Sequence, residues 1–209
     1  MQWPRCLRSR PIRILPAALL WAAGCIARPG ADVRVGSPGG EGAAPATGQA
    51  VHYDEATFQL ARDNRVQIVL FRTLGPSPAK GGAAGPGPEG RPAGSFEYVF
   101  LDLPERAQYG WVRQDRIDGW RWIRESGPGG QAVDRIWHAD AGQARMGFSP
   151  DKSALSLGFR LTLGPVAGGG AEVALEGNTD LREDPMRTQG LMNTYGHRLR
   201  DMLRRTDGN

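Results

Sequence analysis

Hydrophobic and polar positions alternate most cleanly late in the chain, where Leu155, Leu157, Phe159, Leu161 and Leu163 are separated by Ser156, Gly158, Arg160 and Thr162. A period of two puts the five apolar side chains on one face of a strand and leaves the other face wet. Ala144 to Phe148 and the Pro150-Asp151-Lys152 turn precede this strand and make a hairpin with it. After Gly168-Gly169-Gly170 the alternation resumes at Val173 and Leu175. Upstream, Val66 to Phe71 is rich in β-branched and aromatic residues, and an Asp63-Asn64 turn pairs it with Thr57 to Leu60. Phe96, Tyr98 and Phe100 alternate with Glu97 and Val99 in a further strand. Many short strands separated by turns predict a mainly β fold, an antiparallel β-sandwich or a partly open barrel.

The period changes only at the end of the chain. Leu191, Met192, Tyr195, Leu199, Met202 and Leu203 gather on one side of a helix. Asp184 caps its first turn, and Pro185 suits the first helical position because its missing N–H has no intrahelical partner there. Gly190 and Gly196 weaken the helix by about 1 kcal/mol each relative to Ala, so it requires tertiary packing. The expectation is one C-terminal amphipathic helix covering a face or end of the sheet. An alternative reads Arg198, Arg200, Arg204 and Arg205 as a basic face toward anionic lipid headgroups.

Composition divides the chain. Gly (30) and Pro (16) make up 46 of 209 residues, about 22%, so part of the sequence does not contribute to a core. Residues 25–50 and 75–94 concentrate Gly, Pro and Ala. The first reads as a flexible tether and the second as a disordered Gly/Pro loop inside a hairpin. A single β-rich domain over residues 51–209 remains. No internal repeat is evident.

Residues 1–24 read as a signal peptide. Arg5, Arg8, Arg10 and Arg13 form a positive segment, and Ile14 to Ala23 is an apolar run of ten. Ten helical residues are too short for a bilayer core of about 30 Å. The run ends in Ala22-Ala23-Gly24-Cys25, which resembles the lipobox of the bacterial lipoprotein class. That resemblance covers the first 25 residues only, and Ala22 stands where the class usually has Leu. It implies acylation of Cys25, cleavage just before it, and attachment to a cell-envelope membrane through N-terminal acyl chains. The alternatives are an ordinary secretory peptide cut after Ala27, with Cys25 discarded, or an uncleaved anchor.

Removal of the first 24 residues also changes the charge. The chain carries 26 basic and 22 acidic residues, and four of the arginines lie in the signal segment. The remainder has 22 of each sign, so no electrostatic case for nucleic acid survives. Cys6 and Cys25 are the only cysteines, and no disulfide forms within the mature domain under this reading.

Candidate chemistry is sparse. No Gly-x-Ser-x-Gly, P-loop or His-Glu-x-x-His motif is present, and no metal or cofactor is implied. His138 and Asp140 fall on one face of an extended segment and suggest a general-base or metal pair, without a third ligand. Trp111, Trp120, Trp122 and Trp137 crowd into 27 residues. Exposed, such rings stack on a sugar or peptide; buried, they supply core. Trp111, Trp120 and Trp122 are the candidate ligand-binding residues. Three functions follow: a non-catalytic lipid-anchored envelope protein whose β-domain is an interaction or structural module, a carbohydrate- or peptide-binding module using the tryptophan face, or an envelope enzyme around His138 and Asp140.

Overall fold

The computed structural model describes residues 30–39, 47–75, 94–104, 112–113, 117–126 and 131–206. Ten strands belong to one sheet: β1 (Ala31–Ser37), β2 (Thr47–Tyr53), β3 (Glu55–Leu60), β4 (Arg65–Leu74), β5 (Ser95–Pro104), β6 (Val112–Arg113), β7 (Asp118–Ser126), β8 (Ala132–Phe148), β9 (Ala154–Ala167) and β10 (Val173–Glu183). The pairings run β3-β4-β5-β7-β8-β9-β10 and return to β3, so the sheet curls into a ring and does not split into two sandwiched layers. The returning contact joins Arg182–Glu183 to Thr57–Phe58 in parallel, the exception in an otherwise antiparallel sheet, and it is too short to complete a barrel.

Local chemistry accounts for these pairings. Asn64 takes the left-handed conformation at φ 59° in the turn between β3 and β4, as does Lys152 between β8 and β9. Asp151 accepts hydrogen bonds from Ser149 and Ser153 in the second turn, and these hold its carboxyl down at about 2. In β8, register shifts against β9 at Ile136/Trp137 and Ala139/Ala141 bend a strand too long to stay flat. Gly142 follows the second shift, and a Cβ there would lie 2.6 Å from the Arg160 carbonyl oxygen.

The tether expected over residues 25–50 is corrected at two places. Residues 31–37 form β1, which pairs with β10, and residues 47–50 open β2, which pairs with β1. Ala31, Val33 and Val35 alternate with Asp32 and Arg34, and Ala31 and Val33 are buried in the ring. The flanking Gly/Pro stretches mask this short alternation. The loop expected over 75–94 joins β4 and β5, which pair as the predicted hairpin, but residues 76–93 lie outside the described residues.

Two apolar cores result. The ring's interior is filled by alternate residues of its strands, including Val66, Ile68, Leu70, Val99, Leu101 and all five apolar residues of the Leu155–Leu163 pattern. The opposite face of β4, β5 and β7 is apolar too, because the C-terminal helix covers it. This helix runs through α1 (Pro185–Leu191), a π-helical turn (Met192–Gly196) and α2 (His197–Thr206). Asp184 caps it by accepting the Arg187 backbone N–H at 2.9 Å, with Pro185 in its first turn. Tyr195 fixes its position, with ring centroids 4.8 Å from both Phe71 and Phe96 and 5.7 Å from Tyr98. The helix therefore spends its apolar face on the sheet.

Candidate functional site

Register places the outer face of the sheet in cross-strand rows. Phe71, Tyr98, Trp122 and Ile136 form one row, Val69, Phe100, Trp120 and His138 the next, and Gln67, Asp102 and Asp118 the third. The helix seals the first row. Over the second and third it stands off, leaving a cleft of about 280 Å³ between sheet and helix. Phe100, Trp120, Leu199 and Leu203 are among its apolar lining, and Gln67, Asp102, Asp118 and Arg200 among its polar lining.

Tyr98 packs behind the lining, under the helix. Its side chain is fully buried, and among the described residues its hydroxyl has no hydrogen-bond partner. Burial pushes the phenol well above its usual range, against a smaller opposing effect from Arg200. An unpaired buried hydroxyl costs about 1–3 kcal/mol, so such groups are rare unless something else satisfies them. Gly196, the last residue of the π-helical turn, faces it: a Cβ there would come within 3.3 Å of the Tyr98 oxygen. π-Helical turns inside regular helices are frequent at functional sites.

At the mouth, Asp118 accepts hydrogen bonds from the Trp120 indole N–H and lies 3.3 Å from His138 Nε2. The Trp120 and His138 rings are in contact, tilted by 38° with centroids 4.1 Å apart. Asp102 accepts from Arg65 Nε at 2.6 Å. Burial raises the pKa of Asp102, the Arg65 bond opposes that, and the neighbouring Asp118 charge adds to the rise.

The tryptophans predicted as one binding face are thus divided. Trp120 is half-buried and lines the cleft. Trp122 is enclosed, edge-on to Phe96 at 4.7 Å, and donates its indole N–H to Asp134. It therefore offers no ring face for stacking, because the helix covers the row it belongs to. Trp137 points into the ring's interior under the Arg121 guanidinium. Trp111 and Cys25 lie outside the described residues, as does the Asp140 side chain. The acid beside His138 is Asp118, contributed by the neighbouring strand. Among the described residues no group of three potential ligands could hold a metal ion.

Sequence reasoning missed Tyr98, Asp102 and Arg200 as cleft residues, since only register and helix placement bring them together. Asp118 was within reach, because it precedes Trp120 by two positions and so shares its strand face.

A second polar cluster lies inside the ring. Glu97 is fully buried and accepts from Tyr53 and Arg121 at 2.7 Å and from Arg72 at 2.6 Å. Burial alone would raise its pKa, but Arg121, the Tyr53 hydroxyl and Arg72 outweigh this and hold it below the usual carboxylate range. The same burial and the Glu97 charge push the Tyr53 phenol far up.

Comparison with protein families, curated proteins and solved structures returns no match.

Proposed function

We propose that the chain is a non-catalytic binding module of an exported, lipid-anchored envelope protein, and that it receives a small, partly apolar ligand in the cleft beneath its C-terminal helix. The cleft between helix and sheet carries this reading: Phe100, Trp120, Leu199 and Leu203 line it together with Gln67, Asp102 and Asp118. Aromatic and aliphatic walls with a few convergent polar groups are the usual make-up of such sites. The volume of about 280 Å³ is ample for one aromatic ring with a short substituent.

The anchor in this reading is Cys25. β1 begins six residues later, at Ala31, and six extended residues reach at most about 20 Å. Acyl chains on Cys25 would therefore hold the ring close to the bilayer surface, with no long tether between. No helix among the described residues is long and apolar enough to cross a membrane.

Filling the cleft tests the binding reading. Leu203 lines it without being fully buried, so Leu203→Trp is expected to occupy the space while leaving the fold intact. With 2-phenylethanol as probe, the wild-type melting temperature should rise with ligand concentration and that of Leu203→Trp should not. Equal responses from both proteins would overturn the cleft as the binding site.

A further inference from the structure

The C-terminal helix lays its apolar side on the sheet and turns a basic side outward. From Pro185 to Thr206 it carries five arginines and one acid, whereas residues 25–184 carry 17 basic and 20 acidic residues. Beyond the first 24 residues, the excess of positive charge is therefore confined to this helix, and the rest of the chain is net acidic. His197, Arg200 and Arg204 are exposed, on the side of α2 opposite the Tyr195, Leu199 and Met202 that meet the sheet. The acid of the helix is Asp201, also exposed, and Arg187 is bound to Glu55. A helix dipole favours cations only in the last turn. It accounts for Arg204 and Arg205 but not for Arg198 and Arg200, which lie at the start of α2.

Resting on the reading of Cys25 as a lipid anchor, we propose that the outward face of α2 is a docking surface for anionic lipid headgroups. Interfacial helices insert an apolar face into the bilayer, and this helix has already spent its own on the sheet, so the attachment is electrostatic and stays at headgroup level. The anchor supplies the other contact. Ala31 stands opposite Tyr53, and two residues beyond Tyr53 the Glu55 carboxylate binds Arg187 in the first turn of the helix. The chain thus enters the sheet beside the strand on which the helix starts. Arg200 lies thirteen residues past Arg187, about 20 Å along a helix at 1.5 Å per residue, and the residues between Cys25 and Ala31 reach at most about 20 Å. One bilayer plane can therefore meet both. An acyl chain combined with a basic patch is a stable form of attachment where a single chain is marginal.

The test uses the full chain with Cys25→Ala, so that acylation plays no part, and vesicles of phosphatidylcholine with or without an equal share of phosphatidylglycerol. An arginine near an anionic surface contributes about fivefold in partitioning, so Arg200→Gln with Arg204→Gln should weaken cosedimentation with the anionic vesicles about 25-fold. Arg200→Lys with Arg204→Lys keeps the charge and should stay within about threefold of wild type. Arg62→Gln with Arg182→Gln removes the same charge from exposed positions elsewhere and should stay within about twofold, since screening confines the attraction to the docked face. The N-terminal segment is common to every protein compared, so these ratios report the helix. At about 1 M salt, where the Debye length is about 3 Å, wild type and glutamine pair should bind equally. Should the glutamine pair unfold, Arg204→Glu alone, which reverses one exposed charge, carries the same comparison. Equal losses from the helix pair and the control pair, or no loss from the helix pair, would overturn the proposal. If duplex DNA at equal phosphate concentration strips the wild type from the vesicles, the face is a nucleic-acid site and the lipid assignment fails. Mass spectrometry of the native N-terminus tests the anchor separately: vesicle binding by the helix with an unmodified terminus leaves the docking surface and removes the anchor, and acylated Cys25 with no preference for anionic vesicles does the reverse.

Discussion

Glu97→Gln removes the buried negative charge on which two guanidinium groups converge. The carboxylate is fully buried and neutralises two guanidinium groups, Arg121 at 7% side-chain exposure and Arg72 at 25%. Glutamine keeps the shape and can still accept the Tyr53 hydroxyl, but it carries no charge. Arg121 is then left buried without a counter-ion, and breaking such a pair costs about 3–5 kcal/mol. Two contacts survive the change and offset part of that cost: Arg121 lies over the Trp137 ring at 5.1 Å and Arg72 over the Tyr53 ring at 5.7 Å. Arg72 also regains water. The expected loss is about 3 kcal/mol, a large fraction of the 5–15 kcal/mol typical of a domain. At about 2–4 °C per kcal/mol this lowers the melting temperature by about 6–12 °C. Acid titration probes the same carboxylate. The folded pKa of Glu97 lies below its unfolded value of about 4.3, so its stabilising contribution is complete above that pH and is lost as pH falls through the folded value. The gap between wild type and variant should therefore be full at pH 7 and shrink on acidification. Thermal and urea unfolding followed by near-UV circular dichroism measure both quantities. A loss below 1 kcal/mol at pH 7, or a gap that does not narrow in acid, would refute the reasoning.

Other substitutions address other parts of the fold. Leu199→Ala removes a buried residue of the core between helix and sheet and should destabilise by about 2–5 kcal/mol in urea unfolding; an unchanged midpoint would mean that the helix is not docked there. Gly142→Ala drives a Cβ into the Arg160 carbonyl and the Leu161 side chain, and should cost about 1–3 kcal/mol in the same assay. Cys25→Ala should release the protein from membranes on cell fractionation, and mass spectrometry of the native N-terminus should find acyl chains on Cys25; an unmodified terminus at Arg28 would contradict the anchor.

Elements whose pattern and turn chemistry agree were legible in the sequence. The Leu155–Leu163 alternation became β9 with all five apolar side chains buried, and the Asp184-Pro185 start opened the helix as read. Other elements were hidden because a period of two says which residues share a face, not which face is wet. Glu97 sits between Phe96 and Tyr98 like an outward polar residue, yet it points into the ring, because the helix makes the opposite face of β5 a second core. Arg121 misleads in the same way beside Trp120 and Trp122. β1 was lost because an alternation of three apolar residues is weak beside the Gly/Pro runs that bracket it. The cleft was illegible for a different reason. Tyr98, Asp102, Asp118 and Arg200 belong to β5, β7 and α2, and only the register of Asp102 on Asp118 and the π-helical turn at Gly196 bring them together. Helical periodicity does not reveal an inserted π turn, and register across a long loop is not encoded locally.

The most direct test of the cleft as a binding site is an NMR titration of the isotopically labelled chain with 2-phenylethanol. The Trp120 indole N–H, the Gly196 amide and the Leu199 and Leu203 methyl groups should shift together and saturate with one dissociation constant, and Leu203→Trp should abolish the shifts. No saturable shift at these groups, or shifts scattered over exposed strands without a common constant, would contradict it.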